Sequence, residues 1–103
     1  AEYGHSLAQA IETKQVSLGI IVCGSGIGIS IAANRNRGIR AALCTNATMA
    51  RLARAHNDAN VLALGSRIIG REVAFDCIRA FLETEFEGGR HQARIEKINQ
   101  GIE

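Results

Sequence analysis

The 103-residue sequence has no proline and no tryptophan, one tyrosine and three phenylalanines. So few rings leave little on which bases could stack. Lys and Arg number 12 against 10 acidic residues, a net charge of +2, well short of the basic excess a nucleic-acid binder of this size carries. No nucleic acid is expected as a partner. Cysteine is scarce and odd in number: Cys23, Cys44 and Cys77, with no C-x-x-C. That count indicates neither a disulfide framework nor a zinc site, so no metal is expected and a reducing cytoplasm is the default location. Long hydrophobic runs are missing too. The longest, residues 18–33, is broken by Gly19, Gly24, Ser25, Gly26, Gly28 and Ser30, which makes it too short and too interrupted for a bilayer span. What remains is ordinary for a globular chain, with 47% apolar and 21% charged residues. The length accommodates one domain with one core, residues 1–103.

Short β-rich runs alternate with longer helical segments. Residues 18–23, Leu-Gly-Ile-Ile-Val-Cys, form a nearly unbroken apolar run, the pattern of a strand buried on both faces. Further strands are expected over 38–44 and 60–65. Helical periodicity fits residues 2–14, with Leu7, Ala10 and Ile11 on one stripe, and residues 27–34, launched from a glycine loop. Thr45 or Asn46 can cap a helix running to about residue 56. Residues 71–86 read as a long helix with Val73, Cys77, Ile78 and Phe81 inward. After Gly88-Gly89 a last helix is expected over 90–99. Such alternation predicts an α/β domain with a parallel sheet and right-handed crossovers. An uncharged first strand makes a poor exposed edge, so either a preceding portion of the chain or another chain is expected to cover it.

The strongest local signal is strand, then Cys23-Gly-Ser-Gly-Ile-Gly-Ile-Ser30, then helix. In open α/β sheets ligands collect at the carboxyl ends of strands. Glycines there bring backbone N–H groups close to an anion, and the next helix adds its positive end. The spacing G-x-G-x-G matches neither the P-loop nor the dinucleotide fingerprint, and no acid ends the next strand, where Cys44-Thr45-Asn46 stand. Two readings remain: an anion cradle, or a turn that serves tight packing alone. Cys23 at the strand tip likewise reads as a base or nucleophile beside a helix N-terminus, or as a small core residue. Cys44 and Cys77 are assigned to the core.

His56-Asn57-Asp58-Ala59-Asn60 joins a helix to the strand after it, which puts it at the amino end of the sheet, opposite the glycine loop. Arg90 and Arg94 start from that same end. Four residues apart, they share one helix face, in first turns where the dipole disfavours cations. The pair reads either as a grip on a bound anion, since guanidinium forks match phosphate oxygens, or as a solvated face. His56 taken alone is a helix C-terminal histidine. If both sets act in one site, a single copy does not bring them together, and the site straddles two subunits.

Four separated motifs then form one set. Cys23-Gly-Ser-Gly-Ile-Gly with Ser-Ile-Ala-Ala-Asn34, Gly38-Ile-Arg-Ala-Ala-Leu-Cys44, His56-Asn-Asp-Ala-Asn-Val-Leu-Ala-Leu-Gly65 and Glu87-Gly-Gly-Arg-His91 together closely resemble the type B ribose-5-phosphate isomerases. That wider family includes galactose-6-phosphate isomerase subunits. The resemblance covers essentially the whole chain and implies a three-layer αβα, Rossmann-like fold with five strands, three of them visible here. It also implies an aldose–ketose isomerase without metal or organic cofactor, acting on a phosphorylated sugar as a homodimer or tetramer with its site shared between subunits. By the resemblance, Cys23 matches the base that moves a proton between C1 and C2, and Ser25 a hydroxyl that assists it. The backbone of Gly24, Gly26, Ile27 and Gly28 matches the anion hole for the enediolate. His56 matches the group that opens the furanose ring, Asn57 a sugar-hydroxyl ligand, and Arg67, Arg90 and Arg94 the phosphate ligands. Some members carry a glutamate base where this sequence has Ile29, and Ile29 cannot act so. The family also opens on a strand with Asp-His-Ala-Gly, a helix, a second strand and a Tyr-Pro segment. None of these is present, so the chain is expected to be an N-terminally incomplete portion. The implied reaction interconverts ribose 5-phosphate and ribulose 5-phosphate. The alternatives are isomerisation of allose 6-phosphate or galactose 6-phosphate, or a non-catalytic sugar-phosphate-binding subunit.

Overall fold

A computed structural model describes residues 17–88 and residue 98. Three strands, β1 (Gly19–Cys23), β2 (Ala41–Leu43) and β3 (Val61–Gly65), alternate with three helices, α1 (Ile27–Asn34), α2 (Ala47–Asn57) and α3 (Arg71–Glu83). All pairings are parallel and the spatial order is β1-β3-β2. The register sets Gly19 against Val61 and Cys23 against Gly65 on one side of β3, and Ala41 against Val61 on the other. Every residue of β3 is buried, as its apolar run requires of a central strand covered on both faces.

Alternation along β3 separates two apolar clusters. Leu62 and Leu64 pack with Ala50 and Ala53 of α2 and with Cys77 and Phe81 of α3. Val61 and Ala63 point the other way, onto Ile21, Ile39, and Ile29 and Ala33 of α1. Helices therefore flank the sheet on both faces, giving the three-layer αβα arrangement of a Rossmann-like fold. None of the described helices is long and apolar enough to cross a membrane.

Several boundaries differ from those the sequence predicts. The second strand spans only three residues rather than 38–44. Gly38 turns at φ 83°, and Ile39 N–H bonds back to Asn36 O at 3.1 Å. At the outer edge of β2 the Asn34 carboxamide acts as a short substitute strand. It accepts from Ala41 N–H at 2.6 Å and donates to Ala41 O at 3.0 Å. The long helix stops at Glu83 rather than 86: Thr84 is extended, and its hydroxyl caps Ala80 O at 2.6 Å. Val73, expected inward, is exposed. The packed stripe of α3 is Ala74, Cys77, Ile78 and Phe81, the i, i+3, i+4, i+7 spacing of one helix face. The helices expected over 2–14 and 90–99 lie outside the described residues, Ile98 excepted.

Candidate functional site

The glycine loop rides on the carboxyl end of the sheet because two glycines let it. Gly26, the N-cap of α1, takes φ 79° and ψ −10°, a left-handed conformation that costs a side-chain-bearing residue roughly 1–2 kcal/mol. A Cβ on Gly26 would also meet Leu43 Cδ1 at 2.5 Å. Gly65, the last residue of β3, lies so close beneath the loop that a Cβ there would run into the backbone carbonyl of Ser25. The turn after β3 then fastens the loop: Ser66 N–H donates to Cys23 O and Arg67 N–H to Gly24 O, each at 2.8 Å. The Arg67 side chain lies across Gly24, where a methyl would meet its Cδ and Nε at 3.6 and 3.7 Å.

This arrangement presents Cys23, exposed at the tip of β1, beside the start of α1. Helix α1 carries no acidic residue in its first turn to offset its positive end. First-turn N–H groups have no acceptor within their own helix, and around Gly28 a Cβ would find open space. Ile27 is exposed, and its N–H donates to Ser25 Oγ at 3.2 Å. That contact fixes the Ser25 side chain and leaves its hydroxyl proton available to a ligand. The other two thiols are different. Burial, aided by Cys77, pushes Cys44 up to about 11. Burial, then Asp76, raises Cys77. Both are core residues, as expected.

The second set of candidates stands at the opposite, amino end of the sheet. Asn46, rather than Thr45, caps α2 by accepting from Met49 N–H at 2.8 Å. The helix ends at Asp58, left-handed at φ 48°. Asp58 holds two guanidiniums: Arg54 Nη1 at 2.9 Å from Oδ1 and Arg40 Nη2 at 3.3 Å from Oδ2. Arg54 also donates to Ala59 O at 2.7 Å and stacks over the Phe81 ring, 5.8 Å from its centroid. Asn60, buried, accepts from Arg40 N–H and donates to Gly38 O, both at 2.8 Å. This frame fixes where His56 and Asn57 sit. His56 is half-exposed, its Nε2 3.8 Å from Glu87 Oε1. Asn57 opens on a groove of about 390 Å³ shared with Asn34, Arg40 and Ile98.

Cys23, Ser25, Gly24, Gly26, Ile27, Gly28 and Arg67 are thus brought together, and His56 and Asn57 are brought together elsewhere. Arg90 and Arg94 lie outside the described residues. Sequence reasoning gave no role to the Arg40–Arg54–Asp58–Asn60 frame, or to Glu87, which it named only as the first residue of a motif. The four-residue spacing of Arg54 and Asp58 was a readable signal, whereas Arg40 and Glu87 reach their partners only through the tertiary fold.

Comparison with known proteins gives consistent matches along the chain. The ribose/galactose isomerase family matches residues 1–98. A ribose-5-phosphate isomerase B of Escherichia coli is 50% identical over 96 residues, covering 93% of this chain and 64% of that protein. A D-erythrulose-4-phosphate isomerase of Pectobacterium atrosepticum is 46% identical over 97 residues, covering 94% and 64%. A solved ribose 5-phosphate isomerase of Thermotoga maritima superposes with a TM-score of 0.94 at 54% identity, covering 96% of this chain and 68% of its own. The chain therefore spans about two thirds of the length of the relatives it matches.

Proposed function

The chain belongs to the ribose/galactose isomerase family, and from that premise we propose that it serves an aldose–ketose isomerase interconverting ribose 5-phosphate and ribulose 5-phosphate through an enediolate. The observation that carries the reading is the exposed Cys23 at the head of a glycine loop that opens on a helix N-terminus.

In this reading the Cys23 thiolate removes the proton from C2 of the open-chain aldose. The electron pair shifts to form the C1–C2 double bond, and negative charge gathers on O1. Amides of Gly24, Gly26, Ile27 and Gly28 receive that charge. Fixed donors of this kind are worth about 3–4 kcal/mol each when removed singly. The Cys23 thiol returns the proton to C1, while the Ser25 hydroxyl relays the remaining proton from O2 to O1. His56 opens the furanose beforehand, Asn57 holds a sugar hydroxyl, and Arg67, Arg90 and Arg94 grip the phosphate. Binding that remote charge holds the sugar in register.

Cys23 and His56 stand at opposite ends of one sheet, so the site is proposed to form between two copies, as a homodimer or tetramer. The compartment proposed is the cytoplasm. A second reading keeps the chemistry and changes the sugar. It is favoured by the Pectobacterium relative, whose name specifies a four-carbon ketose phosphate.

The test is Cys23→Ala in the full-length protein. Turnover of ribose 5-phosphate is expected to fall by about 100- to 10,000-fold, the usual contribution of a positioned base, while calorimetry still registers sugar-phosphate binding. Undiminished turnover removes Cys23 from the base role. A twofold preference for another sugar phosphate over ribose 5-phosphate selects the second reading.

A further inference from the structure

Glu87 has no part in the scheme above, yet the fold delivers its carboxylate to His56. Three consecutive residues of α2 tie down the segment that follows α3. Arg54 Nε donates to Thr84 O at 3.3 Å, Ala55 O accepts from Glu87 N–H at 3.0 Å, and His56 Nε2 faces Glu87 Oε1 at 3.8 Å. The main-chain bond to Ala55 fixes residue 87 beside the imidazole whatever its side chain. At the next residue Gly88 turns the chain at φ 74°.

The His56–Glu87 pair is a poor device for stability. Both side chains are well exposed, 40% and 61%, and exposed ion pairs hold a fold together weakly. A carboxylate anchored by its own backbone next to an imidazole is the arrangement that orients a histidine doing proton work. Catalytic hydrogen bonds are often long in ligand-free sites and tighten in the substrate complex, so a separation of 3.8 Å is compatible with that arrangement.

We propose that Glu87 is a positioning residue that holds the His56 imidazole in the orientation and tautomer needed to open the sugar ring. The role rests on the reading of His56 as the ring-opening group. It predicts a dependence on whether the substrate is cyclic. Ribose 5-phosphate closes a five-membered ring through O4, whereas in erythrose 4-phosphate O4 is esterified and no such ring forms.

The test uses Glu87→Gln, His56→Asn and the double variant of the full-length protein, assayed on both sugars. Glu87→Gln is expected to lower kcat on ribose 5-phosphate about 10-fold, by analogy with the roughly 10- to 100-fold cost of losing a group that orients a metal-bound histidine. KM and turnover of erythrose 4-phosphate should stay at wild-type levels, and the double variant should be no slower than His56→Asn alone. Imidazole nitrogen NMR should show one His56 tautomer in the wild type and a mixture in Glu87→Gln. A ring-selective loss in His56→Asn with none in Glu87→Gln overturns the proposal and leaves His56 its role. Equal losses on both sugars in His56→Asn overturn the role of His56 and that of Glu87 with it. Unchanged His56 signals in Glu87→Gln overturn the proposal whatever the kinetics.

Discussion

Gly65 is the residue on which the geometry of the loop turns. It carries no functional group, but the Ser25 carbonyl occupies the space its side chain would need, and that contact is with backbone, which cannot rotate aside. Gly65→Ala is therefore expected to lift the loop away from β3. The cost should be about 1–3 kcal/mol, the range for forcing extra atoms into a packed site, read as a lowered urea midpoint. Isomerase activity should fall further than stability does, because Cys23 and the loop amides move with Ser25. Wild-type stability and activity in Gly65→Ala would show that the loop does not depend on this close approach. The contrast with Gly28 is direct, since a Cβ there meets nothing within 4 Å. The glycine loop was legible in the sequence as a pattern, but which glycines it cannot lose depends on Leu43 and Leu64 beneath Gly26 and Ser25 above Gly65.

Among the elements, the junction from α2 into β3 carries the most consequence for the candidate site. Asp58 ends the helix in a left-handed conformation and receives Arg40 and Arg54, both largely buried. Asp58→Ala both adds a left-handed alanine and leaves two guanidiniums without that carboxylate, an expected loss of about 2 kcal/mol. Asp58→Asn tolerates the same backbone and keeps an acceptor, so its urea midpoint should lie between that of Asp58→Ala and the wild type. Equal midpoints for the two variants would mean that charge alone, not the helix ending, governs this junction, and an Asn midpoint below that of Ala would contradict the account. These elements also mark where the sequence could and could not be read. The apolar run of 61–65 and the glycine-launched helix of 27–34 were legible because burial on both faces and a loop–helix transition leave local patterns. The true length of β2 was not, since it is set by the Asn34 side chain seven residues away and by Asn60 beyond β2. In α3 the sequence pointed to Val73 as the first inward residue, whereas the packed stripe begins at Ala74 and leaves Val73 exposed. His56 and Asn57 were legible as a motif; the ion-pair frame behind them was not, because Arg40 lies 18 residues from Asp58.

At the scale of the whole molecule, the parallel sheet keeps its two candidate sets apart. Cys23 and Ser25 stand at the carboxyl end of the sheet, and His56 and Asn57 stand before the amino end of β3, so no rearrangement of loops within one copy unites them. The central claim is that Cys23 of one copy works with His56 of another. The measurement that tests it most directly is activity on mixing two variants of the full-length protein, Cys23→Ala and His56→Asn, dissociated and reassembled together at equal concentration. In a two-fold assembly each mixed dimer contains one site with both groups intact and one with neither, so random pairing should restore about one quarter of the wild-type turnover of ribose 5-phosphate. Each variant reassembled alone should stay at its own low level. Mixed dimers that form, as shown by mass, yet turn over no faster than the average of the two variants would contradict a site shared between copies.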